Sequence, residues 1–236
     1  MTPASLAMTL TLSALGNSMV DNRKSGTGVS DKVREVSVVM ADLRGFTRFC
    51  ERVAPELMSE VLNEYLTAVI DVILEHHGRV QDFIGDGILG IFGAPKDDPD
   101  HAWHAVQSAL EMQTAIRKLS VQWQRKHGIS LSLGVAVHSG DAFAGTVGSP
   151  RLGKYAVVGD PVNTAARLEE LNRDLGTEIV MTRDTLIRVE GCVDVEPRGS
   201  FPVRGRSNEV DVFELRGLEH AEPATEPLAL PTLSWA

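Results

Sequence analysis

The stretch Arg79–Gly93 restricts the fold more than any other part of the chain. Two apolar runs, Arg79–Ile84 and Ile88–Phe92, are parted only by Gly85-Asp86-Gly87. Strand-forming runs on either side of a glycine–aspartate turn predict a tight β-hairpin. An isolated hairpin is at best marginally stable in water, so it needs further strands or a helix to pack on. The flanking sequence supplies both. Val36–Met40 is a short apolar run. From Pro55, Leu57, Val61, Leu62, Tyr65, Leu66, Val69, Ile70 and Ile73 recur at helical spacing, until His76-His77-Gly78 closes the run. Ala102 to about Lys126 reads as a second long helix, stopped at Gly128, with Trp103 and Trp123 as packing residues.

Strands follow at Leu131–Val137 and Tyr155–Val158. A helix runs from Pro161 through Leu171, with Asp160 as its N-cap and proline at the first helical position. Glu178–Met181 reads as a strand, Arg183–Val189 as a short helix and Val210–Leu215 as a closing strand. The order β-α-β-β-α-β predicts an α+β fold: a ferredoxin-like βαββαβ core with extra C-terminal strands, an antiparallel sheet with helices on one face.

The chain has 236 residues, enough for one substantial domain with tails. Residues 1–35 read as an N-terminal arm and linker, 36–217 as the domain, and 218–236 as a disordered tail rich in Glu, Pro, Ala and Thr. The arm carries a weak leucine stripe (Leu6, Leu10, Leu15) but is too short and too polar for a membrane span, and no basic residue precedes it as in a signal peptide. A net charge of −9 argues against nucleic acid or an anionic membrane as the main partner. Cys50 and Cys192 have no metal-type spacing and read as reduced thiols of a cytoplasmic protein.

Two carboxylates stand out. Asp42 ends one apolar run and Asp86 sits in the hairpin turn. If these strands are neighbours, the two converge and can hold divalent metals against phosphate oxygens. A third segment, Gly159-Asp160-Pro161-Val162-Asn163-Thr164-Ala165-Ala166-Arg167, puts Asn163 and Arg167 four residues apart on one helix face. Metals, a polar positioning group and a guanidinium suit chemistry on a triphosphate.

The ordered segments DLRGFT, FIGDGILGIFGAP, GVAVHSGDAFAGTVGSPRLGKYAVVGDPVNTAARLEELN and VRGRSNEVDVFEL resemble the class III nucleotide cyclase catalytic domain from about Val36 to Leu215. The resemblance implies that Asp42, Asp86 and the backbone oxygen of Leu43 hold two Mg²⁺ or Mn²⁺ ions. It implies that Asn163 orients the ribose and that Arg167 stabilises charge at the α-phosphate. Phe46 and Thr47 would lie over the nucleotide, with nearby amides at the phosphates. Arg204 stands where the family usually has a triphosphate-binding lysine. The implied reaction is attack of the 3′-oxygen on the α-phosphorus of a nucleoside triphosphate, giving a 3′,5′-cyclic nucleotide and pyrophosphate. The implied assembly is a homodimer with shared sites, one protomer giving the aspartates and the other Asn163 and Arg167.

The base-reading positions depart from the family. Asp82 replaces the lysine of adenylate cyclases or the glutamate of guanylate cyclases, and Ala156 replaces the second reader. An ionised aspartate accepts and cannot donate, so adenine N1 goes unmet while bases offering N–H groups fit. Three readings stand. The first is a pyrimidine cyclase making cyclic UMP or CMP, similar to bacterial antiphage (Pycsar) cyclases. The others are a guanylate cyclase and a relaxed adenylate cyclase. The rival of a different class is an inactive cyclase-like regulatory dimer, against which the presence of Asp42, Asp86, Asn163 and Arg167 argues.

Overall fold

The computed structural model describes residues 31–149, 151–203 and 208–219. The readings made for residues 1–30, for Arg204 and for residues 220–236 lie outside the described residues. The elements are β1 (Lys32–Leu43), α1 (Phe46–Cys50), α2 (Pro55–Glu75), β2 (Arg79–Ile84), β3 (Gly87–Phe92), α3 (His101–His127), β4 (Leu133–Ser149), β5 (Leu152–Val158), α4 (Asp160–Leu175), β6 (Ile179–Thr182), α5 (Arg183–Leu186), β7 (Val193–Phe201) and β8 (Val210–Leu218). Among the described residues they form one eight-stranded sheet in the order β2-β3-β1-β4-β6-β8-β7, with β5 paired to β4. The mixed α+β architecture is the expected one.

Alternation along β1 builds two cores. Val39, Ala41 and Leu43 face α2 and α3, joining Tyr65, Val69, Ile73, Met112, Ile116 and Trp123 in the larger one. Val36, Val38 and Met40 face the other side, with Leu89, Ala142, Val157 and Ala165 of α4. Leu168 of α4 packs on Ala136 and Val180 of that same side. Each fully buried aliphatic or aromatic side chain contributes about 1.5–3 kcal/mol, so both faces are firmly covered. The helices therefore do not all lie on one face: α2 and α3 cover one and α4 the other. The reason is connectivity. β4 and β6 pair in parallel, and a parallel pair needs a crossover, which α4 provides.

Strand limits differ from expectation where polar residues are buried. β1 begins at Lys32, not Val36. Arg34, although charged, is buried with its guanidinium donating to the Gly93 and Pro95 carbonyls. β4 runs on through His138 and Ser139 to Ser149. A seam of side-chain hydrogen bonds allows this. Ser37 Oγ meets Ser139 Oγ at 2.6 Å and His101 Nδ1 at 2.8 Å. Ser139 in turn donates to Thr185 at 3.1 Å, and His138 Nδ1 meets Thr182 at 2.8 Å. β7 was not foreseen. Pro197 and Gly199 interrupt its alternation, and the pairing with β8 shifts register there. The N-cap of α4 is Gly159, with Asp160 the first helical residue and no side-chain cap bond, one position earlier than the reading that made Asp160 the cap.

Candidate active site

The hairpin brings the two aspartates together. β1 and β3 pair antiparallel with Ala41 opposite Ile88, so Asp42 at the end of β1 lies beside the β2–β3 turn. Gly85 takes φ 68 in that turn, a conformation glycine adopts without strain. Asp86 follows it, half-buried and hydrogen-bonded to the Asp42 carboxyl. Burial first, then the charge and hydrogen bond of Asp42, push the Asp86 carboxyl up from 3.8 to about 7, while backbone amides of Asp86 and Leu43 oppose the shift. Two carboxyls this close share a proton more readily than they both ionise. Leu43 thus meets the site through its amide, donating to Asp86, as well as carrying the carbonyl expected as a metal ligand. Below the pair lies Tyr65 of α2, fully buried with no hydrogen-bond partner for its hydroxyl among the described residues. Burial, then the nearby Asp42, Asp86 and Glu169, hold that hydroxyl well above its ordinary range and therefore neutral.

A chain of alternating charges reaches Asp42 from α4. Arg173 Nη2 donates to Asp42 Oδ2 at 2.9 Å. The same nitrogen lies 3.7 Å from Glu169 Oε2, one helical turn back. Glu169 Oε1 is 3.0 Å from Arg44 Nη1, a charge contact whose atoms are not aligned as a hydrogen bond. Burial, then the charge of Asp42, raise the Glu169 carboxyl, and Arg44 and Arg173 counter it. Arg44 lies flat on β4 at Gly134, where a Cβ would come within 2.2 Å of its guanidinium. Arg44, Glu169 and Arg173 escaped the sequence reading. The spacing of Glu169 and Arg173 by four residues was the available signal.

The residues present fit divalent metals. Two carboxylates are forced together until one is driven toward neutrality, and a guanidinium already stands against Asp42 as a cation would. Carboxylate oxygens suit Mg²⁺ and Mn²⁺. Among the described residues, no third His, Cys, Asp or Glu completes a ligand cluster, so further ligands would be backbone or substrate oxygens.

Asn163 and Arg167 do not join this group within one chain. Both lie on α4, Asn163 exposed and Arg167 half-buried. At about 100° per residue, Asn163 is turned roughly 80° and Arg167 roughly 120° from Arg173 around the helix. Among the described residues neither makes an ion pair or hydrogen bond with Asp42 or Asp86; the Asn163 amide donates to the Gly159 carbonyl at 3.4 Å.

The base-reading positions are occupied differently from the sequence reading. Asp82, exposed on β2, is not a bare acceptor. Its Oδ2 accepts from Lys154 of β5 at 2.7 Å and its Oδ1 accepts from the Phe83 amide. Ala156 is buried, with its β5 neighbour Val157 clamped to β2 by both ends of the Gln81 amide. The Phe46 side chain also departs from expectation. It turns into the larger core beside Phe49, because an apolar ring gains more there than over a polar site, leaving Thr47 exposed at the surface.

A family model described as Adenylate and Guanylate cyclase catalytic domain matches residues 29–217. Adenylate cyclase 1 of Rhizobium meliloti (strain 1021) is 31% identical over 194 residues, which are 82% of this chain and 29% of that protein. Adenylate cyclase 2 of the same organism is 31% identical over 189 residues, 79% of this chain and 51% of that protein. The chain thus spans well under two thirds of these curated relatives. The solved structure of the guanylyl cyclase Cya2 is similar with a TM-score of 0.74 at 34% identity, covering 84% of this chain and 99% of that one.

Proposed function

The chain belongs to the adenylate and guanylate cyclase catalytic domain family, and we propose that it converts a nucleoside triphosphate into a 3′,5′-cyclic nucleotide and pyrophosphate. The observation that carries this reading is the Asp42–Asp86 pair, held carboxyl to carboxyl at the end of β1. Asp42 and Asp86 would hold two divalent ions, which lower the pKa of the ribose 3′-hydroxyl and neutralise phosphate charge. The 3′-oxygen forms a bond to the α-phosphorus, the bond from that phosphorus to the bridging oxygen breaks, and the hydroxyl proton passes to solvent. Asn163 positions the ribose, Arg167 meets the charge growing on the α-phosphate, and Arg204 binds the triphosphate. Since Asn163 and Arg167 face away from Asp42 in one chain, a second copy supplies them, and the working unit is a homodimer.

The Asp82–Lys154 pair bears on the base. The lysine supplies the donor that Asp82 lacks, so adenine N1 has a partner as well. Guanine matches the pair most fully, with N1–H and N2–H given to Asp82 and O6 taking a bond from Lys154. Adenine, uracil and cytosine each offer two such contacts. GTP is therefore the proposed substrate, in keeping with the activity of Cya2 as a guanylyl cyclase. The pyrimidine and antiphage reading would follow from a cyclic UMP or CMP product instead. The test is purified protein with Mn²⁺ and each of ATP, GTP, CTP and UTP, products resolved by mass, beside Asp42→Asn and Asp86→Asn. Cyclic GMP abolished in both variants is expected. No product from any nucleotide, with folded dimer present, would favour the regulatory-module rival.

A further inference from the structure

We propose that Arg173 is a built-in counter-cation, holding the Asp42 carboxylate in the metal-free protein and yielding it to a divalent ion by moving onto Glu169. This rests on the reading of Asp42 as a metal ligand. The geometry gives Arg173 two seats. It donates to Asp42 at 2.9 Å and already lies 3.7 Å from Glu169 Oε2, so exchanging the stronger contact needs only a small displacement of the guanidinium. The second seat is fixed. Glu169 has a side chain only 6% exposed, and its other oxygen is engaged by Arg44, which is pressed onto the bare backbone of Gly134.

The mobile member has the freedom such an exchange requires. The Arg173 side chain is 57% exposed against 18% for Asp42, so it approaches the carboxylate from the solvent side. Exposed ion pairs are weak, and a doubly charged ion with direct oxygen coordination outcompetes one. Until then the guanidinium holds the Asp42 carboxylate in place through the 2.9 Å contact, so the site is preorganised but carries a threshold of metal concentration. Arg173 is on this account a positioning residue that acts through Asp42.

The experiment is Mn²⁺ titration of the nucleotide-free protein, with free Mn²⁺ read by electron paramagnetic resonance, and thermal melts to confirm folding. Arg173→Gln is expected to tighten Mn²⁺ binding about two- to fivefold, the range an exposed pair can account for. Arg173→Lys, which keeps the charge, should stay near the natural affinity. Glu169→Gln removes the second seat and should weaken binding severalfold. If that variant does not fold, the two Arg173 variants decide. Asp42→Asn is the reference and should weaken binding strongly. An Arg173→Gln affinity equal to or below the natural one, with Asp42→Asn impaired, overturns the counter-cation alone. Unchanged binding in Asp42→Asn overturns the metal-ligand reading beneath it.

Discussion

Asp86→Asn should stabilise the metal-free protein at alkaline pH although it removes a proposed metal ligand. The amide copies the neutral carboxyl: it is the same size and can donate to Asp42. Burial and the Asp42 charge raise the folded-state value of Asp86 from 3.8 to about 7. Folding therefore favours the protonated form. The stability from that proton is complete below about pH 4 and is lost as pH rises through about 7. Three units at ~1.4 kcal/mol each set a ceiling near 4 kcal/mol. Asp86 is only half-buried, and solvent screening brings the expected difference down to about 1–2 kcal/mol. Urea denaturation in excess chelator at pH 5, 6, 7 and 8 would measure it. The variant's advantage over the natural chain should widen by about two thirds of that amount between pH 5 and 8, since about a third is already lost by pH 5. It should then reverse when Mn²⁺ is added, because metal stabilises only the natural site strongly. A difference that stays flat with pH, or a variant weaker at pH 8, would refute the claim that Asp86 is confined against Asp42.

Other outcomes follow from the same geometry. Gly134→Ala drives a Cβ into the Arg44 guanidinium and pulls it from Glu169; urea denaturation should show a loss of about 1–3 kcal/mol. Lys154→Gln removes the charged donor to the base, and kcat/KM for the preferred nucleotide should fall about ten- to a hundredfold, measured against the other three nucleotides. Mixing Asp42→Ala with Arg167→Ala should restore about a quarter of natural activity, because half the dimers are mixed and each has one intact site. No recovery in that assay would count against a shared site.

The hairpin, the two long helices and the two aspartates were legible because each is announced locally, by glycine at a turn or by apolar spacing. Asp42 and Asp86 could be paired from the sequence because strand ends and turns fall at predictable places. Arg44, Glu169, Arg173 and Lys154 were not legible. Their partners lie far along the chain, and a charged residue reads as solvated until the fold shows what it faces. The same blindness shortened β1 and β4. Arg34, Ser37, His138 and Ser139 look like surface residues, yet each makes a side-chain hydrogen bond to an atom outside its own strand. The face occupied by α4 was missed because the parallel pairing of β4 with β6 is a long-range fact.

The polar seam around Ser37 has a consequence for the far end of its strand. A slip of β1 by one residue along β4 would strand the hydroxyls of Ser37 and Ser139 and the ring of His101 in an apolar interior, each short of a partner. The seam therefore acts as an indexing pin. It sets how far β1 extends, and so where Asp42 stops, five residues or about 17 Å away. The tolerance of the carboxylate pair is machined into a part of the molecule that touches neither of them.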